Sequence, residues 1–130
     1  MDILNQIEFP LKEETDIILG IAIEVHRILG AGFLEIVYKD AIEHELINKK
    51  IAFVREQEYK IQYKEVVLKH MFFADFVIFD KVIVEVKAKQ GGISAEDLAQ
   101  TLNYLKVSGC KVGLILNFAG AKLQIKRVIF

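Results

Sequence analysis

The chain has 130 residues, of which 53% are hydrophobic and 27% charged, and this is the length and composition of one globular domain rather than of a disordered segment. Its 17 basic and 18 acidic side chains leave a net charge of -1, so the overall charge provides no general attraction to nucleic acid or to an anionic membrane, and phosphate binding requires a local site. The single cysteine, Cys110, cannot form an intrachain disulfide, the apolar runs fall short of the roughly 18 residues that span a bilayer, and the N-terminus lacks the basic start of a signal peptide, so we expect a cytoplasmic protein without a membrane anchor.

Helical periodicity dominates the first part of the sequence. Residues 14–29 carry apolar side chains at helical spacing, and Gly30 and Gly32 end this segment. The apolar residues of this predicted helix are Ile17, Ile18, Ile21, Ala22, Val25, Ile28 and Leu29. A second helix is predicted over residues 33–49. Its apolar arc consists of Leu34, Tyr38, Ala41, Ile42 and Leu46.

From Ile51 onward a two-residue period predicts strands. Three strands are expected over residues 51–63, 66–79 and 82–86, joined by short turns. A helix then begins at Ser94, with Asp97 three residues later as in a capping box, and ends at Gly109. The apolar stripe of this helix is Leu98, Leu102 and Leu105. Two strands over residues 111–118 and 122–129 complete the chain.

The order of these elements is helix, helix, three strands, helix and two strands. It predicts a mixed α/β (α+β) fold in which helices flank a central mixed sheet whose first half is largely antiparallel. Because the sequence contains no linker, repeat or Gly/Ser/Pro-rich stretch, residues 1–130 are expected to form a single domain.

Three charged residues interrupt predicted strands whose other residues are apolar, as is typical of buried strands. Asp75 lies in an apolar run over residues 72–79, and Glu85 and Lys87 lie in another over residues 82–87. Because burial of a lone carboxylate is unfavourable, such groups are paired, bind metal or lie at a sheet edge. Alternation places Glu85 and Lys87 on one face of their strand.

The hairpin register decides whether Asp75 joins them. A two-residue turn at Asp80 and Lys81 would point Asp75 away from Glu85, whereas a three-residue turn over residues 79–81, or a bulge, would set the two carboxylates opposite each other. A functional site requires the second arrangement. The alternative interpretation is a salt bridge between Asp75 and Lys87, with Glu85 facing solvent at a sheet edge.

Three further polar residues are candidates for the same site. Glu35 borders the apolar arc of the second helix and could point toward the strand carboxylates, or it could form a surface pair with Lys39. Gln100 and Tyr104 lie one turn apart, on the side of their helix away from the leucine stripe. Their alternative interpretation is a solvated amide and a half-buried tyrosine.

Other reactive side chains have simpler explanations. The three histidines, His26, His44 and His70, lack partners at a zinc-like spacing. We interpret His26 as a packing residue and Cys110 as a buried structural thiol.

An acidic residue on one strand followed by Glu-x-Lys on the next resembles the core of the PD-(D/E)XK nuclease superfamily. Here the pattern is Asp75, followed by Glu85-Val86-Lys87, and the element order from residue 33 resembles that superfamily's αβββαβ core. The Gln-x-x-x-Tyr of Gln100 and Tyr104 is similar to its RecB-type branch. Residues 32–38, Gly-Phe-Leu-Glu-Ile-Val-Tyr, resemble the signature of the GxxExxY proteins, and the likeness runs from about residue 17 to the end. Ala74 stands where the superfamily's name has proline.

The resemblance implies a restriction-endonuclease-like fold, with an extra N-terminal helix and a C-terminal hairpin strand, and a metal-dependent nuclease. Asp75, Glu85 and the backbone carbonyl of Val86 would bind Mg²⁺ or Mn²⁺, and Glu35 would complete the metal shell or hold a water on the ion. Lys87 would orient the attacking water and offset charge in the transition state. Gln100 would position Lys87 or the water, Tyr104 would support that face or touch the phosphate backbone, and the products would be a 5′-phosphate and a 3′-hydroxyl.

The substrate implied is nucleic acid, more specifically DNA, although the chain has only a small group of basic residues near its C-terminus: Lys106, Lys111, Lys122, Lys126 and Arg127. A homodimer could concentrate these charges. Two other functions fit the same residues. One is a non-catalytic interaction or regulatory module with the nuclease fold, which acids capped by internal salt bridges would favour. The other is a resolvase-like dimer that acts on branched DNA.

Overall fold

The computed structural model describes residues 10–130 of the chain. Within this range it contains three helices and five strands, in the order predicted from the sequence. The helices are α1 (Lys12–Leu29), α2 (Glu35–Asn48) and α3 (Ala95–Ser108). The strands are β1 (Phe53–Tyr63), β2 (Val66–Ile78), β3 (Val82–Lys87), β4 (Val112–Asn117) and β5 (Gln124–Ile129).

The five strands form one mixed sheet in the order β1-β2-β3-β4-β5. Strands β1, β2 and β3 pair antiparallel through hairpins, whereas β3 and β4 are parallel because α3 carries the chain back to the same end of the sheet. Strand β5 returns antiparallel to β4. The restriction-endonuclease-like core, the extra N-terminal helix and the C-terminal hairpin strand are therefore confirmed.

Helices cover both faces of the sheet. Buried side chains of α1 and α2 pack on one face, against residues such as Phe76, Val84 and Leu114. On the other face Tyr104 and Leu105 of α3 pack against a second, smaller cluster. Strands β3 and β4 are buried along their whole length except at Lys87, as expected for central strands covered on both sides.

The buried stripes of α1 and α2 are narrower than the sequence suggested. Ile17 and Ile28 are 45% and 63% exposed, because at about 100° per residue they lie roughly 70–90° from the centre of the buried arc formed by residues 18, 21, 22 and 25. Leu34 is 77% exposed. It precedes α2 as an extended N-cap residue and cannot join that helix's packed face.

Helix α3 is rotated relative to the prediction. Its buried residues are Asp97, Thr101, Tyr104 and Leu105, while Leu98 and Leu102 are only partly buried. The leucine stripe is therefore not the centre of the buried face, and Tyr104, on the other side of Leu105 from that stripe, is buried against the sheet. The physical reason lies in β4, where a Cβ on Gly113 would lie only 2.8 Å from Thr101 Cγ2. The missing side chain lets α3 approach the sheet with Thr101 inward, and Tyr104 follows on the same face.

Two of the other candidates have structural roles. His26 is buried, its Nε2 lies 2.9 Å from the carbonyl oxygen of Gly120, and its ring packs on Phe118, which confirms it as a packing residue. Cys110 is a free, half-buried thiol, more accessible than predicted. Over residues 10–130, none of the helices combines the length and the apolar character needed to cross a bilayer.

Candidate active site

A three-residue turn sets the register of the β2–β3 hairpin. The paired residues are Phe76 with Val84, Val77 with Ile83, and Ile78 with Val82. The turn therefore consists of residues 79–81, and both Phe79 and Asp80 adopt the left-handed conformation, with φ of 59° and 58°. This register places Asp75 opposite Glu85, which is the arrangement that a functional site requires.

Asp75 and Glu85 are held together where regular pairing of β2 and β3 stops. The backbone N–H of Asp75 donates to Glu85 Oε2 at 2.7 Å. The backbone N–H of Val86 donates to Asp75 Oδ2 at 2.8 Å. Each carboxylate thus accepts a hydrogen bond from the backbone of the opposite strand, in place of the ladder bonds that end at the pair of Phe76 and Val84.

Glu85 lies in the buried part of this pair. Its exposed fraction is 3%, and burial together with the negative charge of Asp75 raises the pKa of Glu85 to about 8. The interpretation in which Glu85 faces solvent is wrong. Burial also raises the pKa of Tyr104, and the negative charges of Glu85 and Asp75 raise it further. This coupling brings Tyr104 of α3 into the electrostatic environment of the two acids.

Lys39 of α2 is a member of the site that sequence reasoning missed. Its Nζ lies 2.8 Å from Asp75 Oδ1 and 2.7 Å from Glu56 Oε1, and the residue is only 7% exposed. Burial alone would lower the pKa of Lys39, but the hydrogen bonds that its ammonium group donates to Asp75 and Glu56 outweigh this effect and the pKa is raised. The surface pair between Lys39 and Glu35 is therefore wrong. Lys39 lies three residues before buried Ile42, and this spacing was a signal that it faces the sheet.

Lys87 lies at the rim of the site rather than on Asp75. It shares a strand face with Glu85, is 22% exposed at its side chain, and has its Nζ 4.0 Å from Asp97 Oδ1. The proposed salt bridge between Lys87 and Asp75 is therefore wrong. Burial opposes ionisation of Asp97, but hydrogen bonds from Lys89 and Ser94 outweigh it and lower its pKa, so Lys87 faces a carboxylate that stays ionised.

Asn117, at the end of β4, fixes the chain that follows Lys87. Its Oδ1 accepts from the backbone N–H of Lys89 at 3.0 Å, and its Nδ2 donates to the carbonyl oxygen of Lys89 at 3.0 Å. The same side chain also contacts Ala119 and Gln124, and the residue is 3% exposed. Sequence reasoning assigned it no role. The available signal was one amide in an otherwise apolar run over residues 112–118.

Glu35 and the segment before it are positioned by Tyr38. The Tyr38 hydroxyl donates to the carbonyl oxygen of Gly30 at 2.6 Å and accepts from the N–H of Phe33 at 3.2 Å. Its ring stacks on Phe118 at 4.5 Å between centroids. Glu35 is solvent-exposed, yet partial burial of its carboxyl group and the charge of Asp75 raise its pKa. It therefore lies within electrostatic reach of the acidic pair.

Gln100 is the predicted site residue with the weakest structural support. It is exposed on α3, one turn before Tyr104. Among the described residues it makes no hydrogen bond to Asp75, Glu85 or Lys87. The structure thus brings Asp75, Glu85, Lys87 and Tyr104 to one end of the sheet and leaves Gln100 at its border.

The donor set suits a hard divalent cation that keeps part of its water shell. Across residues 10–130 no three His, Cys, Asp or Glu side chains converge as a ready-made metal cage. Mg²⁺, however, is commonly held by one or two carboxylates and exchanges its remaining waters for substrate phosphate. Because the N–H of Val86 points to Asp75, and the N–H and C=O of one residue in a strand point to the same side, the carbonyl of Val86 also faces this gap. Two carboxylates and a carbonyl therefore fit such an ion.

Comparison with known proteins relates the chain to a sequence family and to solved structures. No curated protein matches the chain. A solved structure described as "Crystal structure of SSO0001" superposes with a TM-score of 0.58 at 17% identity, over 72% of this chain and 48% of that one. The chain thus spans about half of that protein, and the similarity shows a shared fold. The sequence pattern of the PD-(D/E)XK nuclease superfamily matches residues 12–128, so the chain belongs to the PD-(D/E)XK nuclease superfamily.

Proposed function

We propose that this protein is a metal-dependent nuclease that hydrolyses phosphodiester bonds of DNA or RNA. The observation that carries the proposal is the reciprocal pairing of Asp75 and Glu85 across the end of the β2–β3 hairpin, with Lys87 on the same strand face. Superfamily membership supports it, because the order of Asp75 and Glu85-Val86-Lys87 in the sequence resembles the motif that names the family.

Asp75, Glu85 and the carbonyl of Val86 would hold Mg²⁺ or Mn²⁺. When bound, such an ion supplies Lewis-acid stabilisation of negative charge on the phosphate and lowers the pKa of coordinated water. Because Glu85 carries a proton below about pH 8, binding of the cation would release that proton. The reciprocal backbone hydrogen bonds keep both carboxylates in place without metal.

The remaining residues would act around the substrate phosphate. Lys87, partly exposed and facing the ionised Asp97, would orient the attacking water and offset charge in the transition state. Glu35 would hold a water on the ion or complete its shell. Tyr104 would support this face of the site, and Gln100 would position the water or Lys87 at its exposed border.

The same motifs support a finer family assignment within the superfamily and a class of substrate. The Gly32–Tyr38 signature, in which Tyr38 pins the segment before Glu35, supports assignment to the GxxExxY proteins. The spacing of Gln100 and Tyr104 supports the RecB-type branch. The substrate would be nucleic acid, more specifically DNA, and a homodimer, cytoplasmic location and action on branched DNA remain proposals.

A second candidate function has one specific observation in its favour. The buried ion pair between Lys39 and Asp75 caps one acid of the site with an internal cation, as expected for a non-catalytic interaction or regulatory module. In that case nucleic acid or a protein partner would bind without hydrolysis.

Cleavage assays separate the two functions. Labelled single-stranded, duplex and branched DNA and RNA are incubated with the protein and Mg²⁺ or Mn²⁺, and wild type is compared with Lys87→Met. The matched control is Lys12→Met, because Lys12 is exposed at the start of α1. Glu14 in the same first turn contacts Lys81, at the end of the hairpin opposite the site. We expect metal-dependent cleavage that falls by about 10²-fold or more in Lys87→Met and stays at the wild-type rate in the control. Absence of cleavage of every substrate would instead support the non-catalytic module. Equal cleavage rates in wild type and Lys87→Met would contradict the role of Lys87 and place the activity outside this site.

A further inference from the structure

We propose that the ammonium group of Lys39 occupies the position of a second cation in this site and thereby limits the site to one divalent ion. The inference rests on the proposed function, because it assumes that Asp75 and Glu85 bind a divalent cation. It goes further by assigning a role to Lys39 and Glu56, which lie outside the motif shared with the superfamily.

The two oxygens of Asp75 have different partners. Oδ1 lies 2.8 Å from Lys39 Nζ, whereas Oδ2 accepts the N–H of Val86 on the side of Glu85. One oxygen of Asp75 is therefore paired with a cation, and the other faces Glu85. On the first side the cation is already present as an ammonium group, and on the second side are the donors suited to a divalent ion.

Lys39 also has the second carboxylate that an ion in its place would need. Its Nζ lies 2.7 Å from Glu56 Oε1, so it sits between two acids as a metal ion does. The ladder of β1 and β2 pairs Arg55 with Phe76 and Gln57 with Ala74 but is interrupted at the step between them. Glu56 has a left-handed φ of 55° at this break, which is unfavourable for a non-glycine residue within a strand. The two carboxylates that pair with Lys39 therefore lie at the same irregularity of the sheet.

Because Lys39 is buried, its ammonium group is held in one position. Its side chain is 9% exposed, and an ion pair between groups of low exposure is screened less than a surface pair. Substitution of Lys39 by a neutral residue leaves Asp75 Oδ1 and Glu56 Oε1 facing a gap without positive charge. In two-metal sites the ions lie about 3.5–4 Å apart and share such a carboxylate, so the gap is suited to a second divalent ion.

Mn²⁺ binding to the full chain tests this assignment. The number of Mn²⁺ ions per chain is measured by calorimetry, and electron paramagnetic resonance detects magnetic coupling between neighbouring ions. The variants are Lys39→Met, which keeps most of the aliphatic volume, Lys39→Gln in case the methionine variant does not fold, and the double variant Lys39→Met/Glu56→Gln. Unfolding curves in chelator confirm that each variant is folded.

We expect one Mn²⁺ per wild-type chain, two coupled ions per chain in Lys39→Met, and a return to one in the double variant, which lacks the second carboxylate. Gain of an ion is a result that a damaged structure does not give. One Mn²⁺ in both wild type and Lys39→Met would overturn the role of Lys39 and leave the proposed function standing. Two ions in wild type would do the same. If neither wild type nor Lys39→Met bound Mn²⁺, both proposals would be overturned.

Discussion

Replacement of Glu85 by glutamine is expected to remove a pH dependence of stability from this fold. Glu85 is buried beside Asp75, and its pKa is raised from 4.5 to about 8. Between these two pH values the folded chain holds a proton on Glu85 that the unfolded chain has lost. The contribution of Glu85 to the free energy of unfolding is therefore fully present below pH 4.5 and is lost as the pH rises to 8.

The size of the effect follows from the shift in pKa. In this range each pH unit lowers the free energy of unfolding by about 1.4 kcal/mol for one proton. From about pH 5.5 to pH 7.5, wild type should lose about 3 kcal/mol relative to Glu85→Gln, and the difference should level off above pH 8. The amide oxygen of glutamine can still accept the N–H of Asp75, so the comparison isolates the proton.

Urea denaturation across this range measures the difference directly. The control is Glu65→Gln, because Glu65 is exposed in the turn between β1 and β2, and this variant should follow the wild-type curve. Parallel curves for wild type and Glu85→Gln would refute the reasoning, since Glu85 would then ionise at the same pH in the folded and unfolded chains.

Three further predictions concern the packing and hydrogen bonds that position the site. Gly113→Ala should destabilise the fold by about 1–3 kcal/mol, because the new Cβ would lie 2.8 Å from Thr101 Cγ2, and Thr101→Ser should restore part of the loss by removing that methyl group. Asn117→Leu should cost about 2–4 kcal/mol, because its buried amide bonds both backbone groups of Lys89. Tyr38→Phe should cost about 1–2 kcal/mol, because its hydroxyl bonds Gly30 and Phe33. Urea denaturation measures all three.

Each of these predictions has its own contradicting outcome. Equal losses for Gly113→Ala with and without Thr101→Ser would show that contact with this methyl group is not the cause. Wild-type stability of Asn117→Leu would contradict the clamp on Lys89. Wild-type stability of Tyr38→Phe would show that water replaces the hydroxyl at the segment before Glu35.

Local signals in the sequence were sufficient for the elements and their order. Ser94 and Asp97 form the capping box that their spacing predicts, and Gly30 and Gly109 end their helices with positive φ angles. Such features depend on residues within one turn of each other. The strands followed from β-branched and apolar runs, and superfamily membership bears out the fold inferred from Asp75 and the Glu-x-Lys of β3.

Contacts between distant segments could not be predicted in this way. The sequence left two registers open for the β2–β3 hairpin, and the left-handed conformation of Phe79 and Asp80 decided between them. The burial of Tyr104 was not predicted, because the rotation of α3 depends on the close approach to Gly113. Lys39 was overlooked because its partners, Glu56 and Asp75, are 17 and 36 residues away along the chain.

Calorimetric titration of the full chain with Mg²⁺ and Mn²⁺ tests the central claim, a carboxylate metal site formed by Asp75 and Glu85, most directly. Wild type, Asp75→Asn and Glu85→Gln are compared below pH 8 in buffers of different ionisation enthalpy. The account predicts binding by wild type with release of close to one proton from Glu85, and a loss of affinity of roughly tenfold or more in each variant. Binding of equal affinity in wild type and both variants, or no binding by wild type, would contradict it.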